Sequence, residues 1–148
     1  MGIFDVLIGV LGAIIGALLG FLGSLYFHKK QERIRLAKEQ KEAKLKTLDN
    51  LANKLDEYDN ILDQEKDLST RNYRRICHEW DDVIHAEAAL RALPGIQKDN
   101  QVHKLSREAT LLVKDKEYGL SQNLVELISK ISELKGAVKK MRSQIVSS

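Results

Sequence analysis

The stretch CHEWDDVIHAE, residues 77–87, is the best candidate for chemistry in this sequence. His78, Asp82 and His85 are spaced by four and three residues and so share one face of a helix. Two imidazoles and a carboxylate are a ligand set that suits zinc or a similar divalent ion. Three groups rising one above another over two turns converge poorly, however, unless a second helix supplies a further ligand. Charged runs of this kind ordinarily form a solvated face. The trio therefore stands as a weak candidate, and the expectation is no metal and no cofactor. There is no GxxxxGK[ST] phosphate loop, because the clustered glycines lie inside an apolar run that offers a phosphate neither water nor lysine. No serine or cysteine nucleophile sits in a recognisable setting. The expectation is a protein that is not an enzyme.

The apolar run gives the anchoring element. From Val6 to Phe27 there are 22 consecutive positions without a charge. At about 1.5 Å per residue they reach roughly 33 Å, against a hydrocarbon core of about 30 Å. A cleaved signal peptide needs a basic leading region and a small-x-small site. Here the only charge ahead of the run is Asp5, and the run ends Leu25-Tyr26-Phe27. Residues 1–27 therefore read as an N-terminal segment with a retained transmembrane helix. Gly9, Gly12, Gly16, Gly20 and Gly23 fall within an arc of about 80° at 100° per residue. Asp5 projects on the same side. A bare stripe gains nothing against lipid, whereas a facing helix can approach it closely. This glycine-zipper pattern predicts a packing face made of those five glycines and Asp5.

Charge orients the span. Residues 28–46 carry eight cations, none of which precedes the run, so the positive-inside rule places the N-terminus outside and the C-terminus in the cytoplasm. Residues 1–46 hold eight cations against four acids, net +4, and residues 47–148 hold 16 against 17, net −1. The overall +3 is thus a basic juxtamembrane helix, 28–46, rather than a charged domain. Lys29, Lys30, Arg33 and Arg35 are placed to contact anionic lipid headgroups, each worth about 1 kcal/mol near the surface. A nucleic-acid binder should instead carry its basic residues on the folded domain, so no nucleic acid is expected. Cys77 is the single cysteine, which excludes an intrachain disulfide and suits a reducing compartment.

Beyond residue 46 the composition is helical throughout. Pro94 is the only proline, and Leu, Lys, Glu, Ala and Gln dominate. Leu48, Leu51, Leu55, Tyr58 and Leu62 alternate steps of three and four, a heptad seam. A second seam runs through Leu120, Leu124, Leu127, Ile131, Leu134, Val138, Met141 and Ile145. Helices are predicted over about 47–68, 70–92 and 99–146, with the membrane helix continuing directly into the first. Ser69 is placed to cap the second helix, and Asp99 or Asn100 the third. Pro94-Gly95 makes the turn between them, and Gly119 is the point where the third helix would bend or split.

The fold class expected is all-α: one transmembrane helix leading into an elongated cytoplasmic helical hairpin or coiled-coil bundle, 47–148. Helices of such unequal length cannot cover one another, which predicts a homo-oligomer. Two functions fit. One is a non-enzymatic, single-pass scaffold or adaptor that self-associates through its seams and presents a surface to a cytoplasmic protein partner. The other is a small membrane effector of toxin, holin or phage-exclusion type, whose glycine-faced spans cluster and change permeability.

Overall fold

A computed structural model describes residues 2–64, 70–97, 100–114 and 120–147. The described residues form four helices and no strand: α1, Ile3–Gln64; α2, Thr70–Arg91; α3, Gln101–Lys114; and α4, Leu120–Ser147. The chain divides into two compact units, Met1–Gln40 and Lys41–Ser148. The first unit is the leading part of α1, and α1 runs on unbroken into the second. No proline and no glycine lies between Gly23 and the end of α1 at Gln64, so no helix breaker interrupts that stretch.

The second unit is a closed four-helix bundle, traced by one contact after another. Between α1 and α2 the rings of Tyr58 and Trp80 meet with centroids 4.9 Å apart, tilted by 59°. Between α2 and α3 the Trp80 indole N–H donates to Thr110 Oγ1 at 3.0 Å, and Lys114 pairs with Asp81 at 3.3 Å. Lys130 of α4 reaches Glu108 of α3 at 3.1 Å. Arg142 of α4 reaches Asp49 of α1 at 2.7 Å. Partner numbers fall on one helix as they rise on the next: Tyr58–Trp80 and Lys54–Asp82 between α1 and α2, Cys77–Val113 and Glu87–His103 between α2 and α3, Asp59–Lys135 and Asp49–Arg142 between α1 and α4. This is the mark of antiparallel neighbours in an up-down-up-down bundle.

Each helix sends one apolar stripe to the centre. Leu48, Leu51, Leu55, Tyr58 and Leu62 come from α1; Ile76, Trp80, Val83 and Leu90 from α2. Val102, Leu105, Ala109 and Val113 come from α3; Leu127, Ile131, Leu134 and Val138 from α4. All are at most 6% exposed.

Two local signals set the joint between α2 and α3. In Leu93-Pro94-Gly95-Ile96 the Ile96 N–H donates to the Leu93 carbonyl at 3.3 Å, and Gly95 has φ 76°. Proline followed by a glycine of positive φ is the type II turn pattern. Asn100 then caps α3, its Oδ1 accepting from the His103 N–H at 2.9 Å. Ser69 and Asp99 lie outside the described residues.

The single third helix expected over 99–146 is two helices. Its first part carries a stripe of its own, Val102, Leu105, Ala109 and Val113, and α3 packs on both α2 and α4. A straight helix would leave one of these stripes beyond the reach of the 22-residue α2. Folding back lets α3 and α4 cover each other. The bend suggested at Gly119 falls in 115–119, outside the described residues. The three-helix hairpin with an uncovered seam is corrected accordingly: four helices close the core within one chain.

Because the core is shared, Leu55→Ala should destabilise the bundle by about 2–5 kcal/mol in urea denaturation followed by Trp80 fluorescence. Val125→Ala, at a side chain 80% exposed, should stay within about 0.5 kcal/mol.

Lys135 ties α4 to α1 through Asp56 at 2.9 Å and Asp59 at 2.5 Å. Desolvation pulls its ammonium down, but hydrogen bonds and attraction from Asp59 and Asp56 outweigh it and hold the pKa above the ordinary lysine value. A raised lysine contributes stability that is complete below its unfolded pKa and is lost as pH rises through the folded one. The Lys135→Met variant should therefore melt below the parent at neutral pH, by an amount equivalent to about 0.2–1 kcal/mol. The gap should shrink above about pH 10.4.

Candidate functional site

The feature that sets this chain apart is the leading part of α1. From Val10 to Phe27 every large apolar side chain is 46–73% exposed. None of the most apolar stretch is buried, and α1 is the helix among the described residues that is long and apolar enough to cross a membrane. The same chain buries its bundle seams almost completely, so this exposure is confined to one segment. Its apolar side chains lie all round the helix, which leaves no polar side to turn toward water.

The glycines form one face of that segment. Gly12, Gly16, Gly20 and Gly23 point at about 120°, 160°, 200° and 140° on a helix turning 100° per residue. A Cβ added at any of them would meet nothing within 4 Å. Among the described residues, then, no neighbour explains the stripe. Asp5 and Gly9 belong to α1, but their surroundings fall outside what the structure describes.

After Phe27 the helix turns basic. Lys29, Lys30, Arg33 and Arg35 are all exposed. Arg35 pairs with Glu39 at 3.4 Å, one turn on, a contact worth only about 0.3–0.5 kcal/mol at an exposed site. Lys29, Lys30 and Arg33 form no ion pair with a described residue, which leaves them available to external anions.

The cations that follow serve the bundle. Lys41 donates to the Val146 carbonyl at 3.1 Å, in the last turn of α4. Lys44 sits beside the turn after α2, its Nζ 3.1 Å from where a Cβ on Gly95 would stand. Both ammonium groups thus lie toward the carbonyl ends of helices, where a cation satisfies orphan acceptors and complements the dipole.

The remaining sequence candidates are dispersed or structural. His78, Asp82 and His85 are exposed. Asp82 is engaged by Lys54 at 3.7 Å, and no group of three ligating side chains among the described residues is placed to hold a metal. Trp80 is core.

The seam residues Leu48, Leu51, Leu55, Leu62, Leu127, Ile131, Leu134 and Val138 are buried inside the bundle, with Leu124, Met141 and Ile145 packed against it. The surroundings of Leu120 are not among the described ones. These seams are therefore occupied within the bundle of the single chain.

One pair was missed by sequence reasoning: Glu87, buried at 5% exposure, with its Oε1 3.0 Å from His103 Nδ1. The available signal was an acidic residue in the slot between Val83 and Leu90 on the apolar stripe of α2. No family model matches this chain, and no curated protein and no solved structure matches it.

Proposed function

We propose that this chain is a membrane-anchored helical protein without catalytic activity, which holds a four-helix bundle at the cytoplasmic face. The observation that carries this reading is the uncovered apolar segment Val10–Phe27. A helix apolar on every side has no aqueous environment that suits it, while a bilayer covers it completely. The cations that begin at Lys29 support an orientation with the N-terminus outside and the bundle inside. Lys29, Lys30, Arg33 and Arg35 would lie at the headgroup level and add electrostatic attraction to anionic lipid.

With the heptad seams occupied inside the bundle, self-association falls to the glycine face of the span. Backbones can approach there, and van der Waals contact with weak Cα–H···O bonds favours a helix pair. The scaffold or adaptor role then rests on the bundle's outer surface, where a cytoplasmic protein partner would bind. The glycine face also supports a second reading, a membrane effector whose clustered spans alter permeability.

Two measurements test these readings. In a Cys77→Ser background, an impermeant thiol reagent added outside the cell should label Gly2→Cys and leave Ser147→Cys unlabelled. The reverse pattern contradicts the orientation, and extraction of the parent protein by alkaline carbonate contradicts the anchor. In a membrane dimerisation reporter, Gly16→Ile should reduce association of the span severalfold, whereas Leu18→Ile, off the stripe, should leave it near the parent level. If expression also dissipates the membrane potential and Gly16→Ile removes that effect, the effector reading holds. An intact potential leaves the scaffold.

A further inference from the structure

Between α2 and α3 the bundle carries a cleft of about 180 Å³, lined by Glu87 and Arg91 on one side and His103, Ser106, Arg107 and Thr110 on the other. It sits by the type II turn: Arg91 is the last residue of α2, and His103 lies in the first turn of α3.

Three features of this lining give it a capacity to bind. Glu87 and Ser106 are the two buried polar residues among those described, 5% and 4% exposed, and polar groups at such depth normally have partners. Glu87 has His103 at 3.0 Å through one oxygen. The Ser106 hydroxyl makes no hydrogen bond with a described residue. Serine and threonine inside a helix commonly bond back to the carbonyl four residues earlier. Thr110 does so, to Ser106 O at 2.7 Å, as do Thr47 and Ser143. Ser106 instead lines the cleft with its hydroxyl uncommitted. Arg91 and Arg107 form the third feature, since neither guanidinium is in an ion pair with a described residue.

The chemistry of the lining selects its occupant. Two guanidiniums against one carboxylate leave the cleft positive, and guanidinium matches the planar, two-oxygen edge of a carboxylate or phosphate. The second oxygen of Glu87 accepts, and Ser106 can both donate and accept, so a ligand that brings its own O–H or N–H is favoured over a bare anion. At about 180 Å³ the cleft falls short of the roughly 300 Å³ at which drug-sized sites begin, which suits a small ligand. We propose that this cleft binds a small oxyanion carrying a hydrogen-bond donor, a hydroxy-carboxylate or a phosphate, held by Arg91 and Arg107 and read by Ser106 and Glu87.

Trp80 supplies the readout. It is the only tryptophan in the chain, and its indole N–H donates to Thr110 Oγ1 at 3.0 Å on the cleft wall. Full-length protein in detergent micelles would be titrated with glycolate, orthophosphate and acetate at constant ionic strength while Trp80 fluorescence is followed. The expected result is a saturable change with glycolate or with phosphate, the tighter of the two naming the class, and weaker binding of acetate, which lacks the donor. Arg91→Gln and Arg107→Gln should each weaken binding about tenfold or more, as loss of a charged hydrogen-bond partner does. Ser106→Ala should narrow the gap between glycolate and acetate. Lys104→Gln, an exposed neighbour outside the lining, should change nothing. The arginines and Lys104 are exposed, so these variants should keep the parent's helical circular dichroism. The proposal is overturned if no probe gives a saturable change, or if the arginine variants respond as the parent does.

Discussion

An apolar surface must be covered, and α1 poses that requirement in two forms. Residues 10–27 are apolar around the whole circumference and stay exposed among the described residues. Residues 48–62 are apolar along a single stripe, and three further helices of the same chain cover it. The hydrophobic effect, about 25 cal/mol per Å² of apolar area removed from water, acts on both. A stripe can be satisfied by helices that are themselves half polar. A fully apolar helix needs either a large protein core or lipid, and lipid is the environment we propose.

The bundle closes because each stripe meets one of similar length. Once α3 and α4 fold on each other, α2 no longer has to cover a helix twice as long, and the four stripes share one centre. Charge then marks neighbours: Lys54 with Asp82, Lys114 with Asp81, Lys130 with Glu108 and Lys135 with Asp56 and Asp59 link the four helices in a ring. Exposed pairs of this kind contribute little stability each. Their arrangement nonetheless favours this order of helices over alternatives in which like charges would face. Lys41 and Lys44 add cations at the carbonyl ends of α4 and α2, beside the point where α1 enters the bundle.

Much of this was legible in the sequence. The apolar run, the unbroken continuation of α1, the limits of α2, the Pro94-Gly95 turn and the Asn100 cap each follow from a local rule acting within a few residues. The division of the third helix was not, although its cause was present. Val102, Leu105, Ala109 and Val113 repeat at helical spacing, but a stripe shows only that a surface will be buried and not by what. The same ambiguity made the seams of α1 and α4 look available to another copy. Local periodicity cannot distinguish cover supplied within the chain from cover supplied between chains, because both use one pattern. Glu87 and His103 were illegible for a related reason: they lie 16 residues apart, and only the antiparallel packing of α2 on α3 brings them together.

The heptad seams are covered within one chain. Asp49 and Arg142 lie across the α1–α4 joint, 2.7 Å apart at their charged atoms. A pair of cysteines at these two positions, in a Cys77→Ser background, would be treated with a short bifunctional thiol reagent in the intact membrane. The expected result is a cross-linked product that migrates as a single chain. No mixed species should form when differently tagged copies are expressed together. A tagged-to-untagged dimer joined through these positions would contradict cover within one chain, because α1 and α4 would then be pairing between chains.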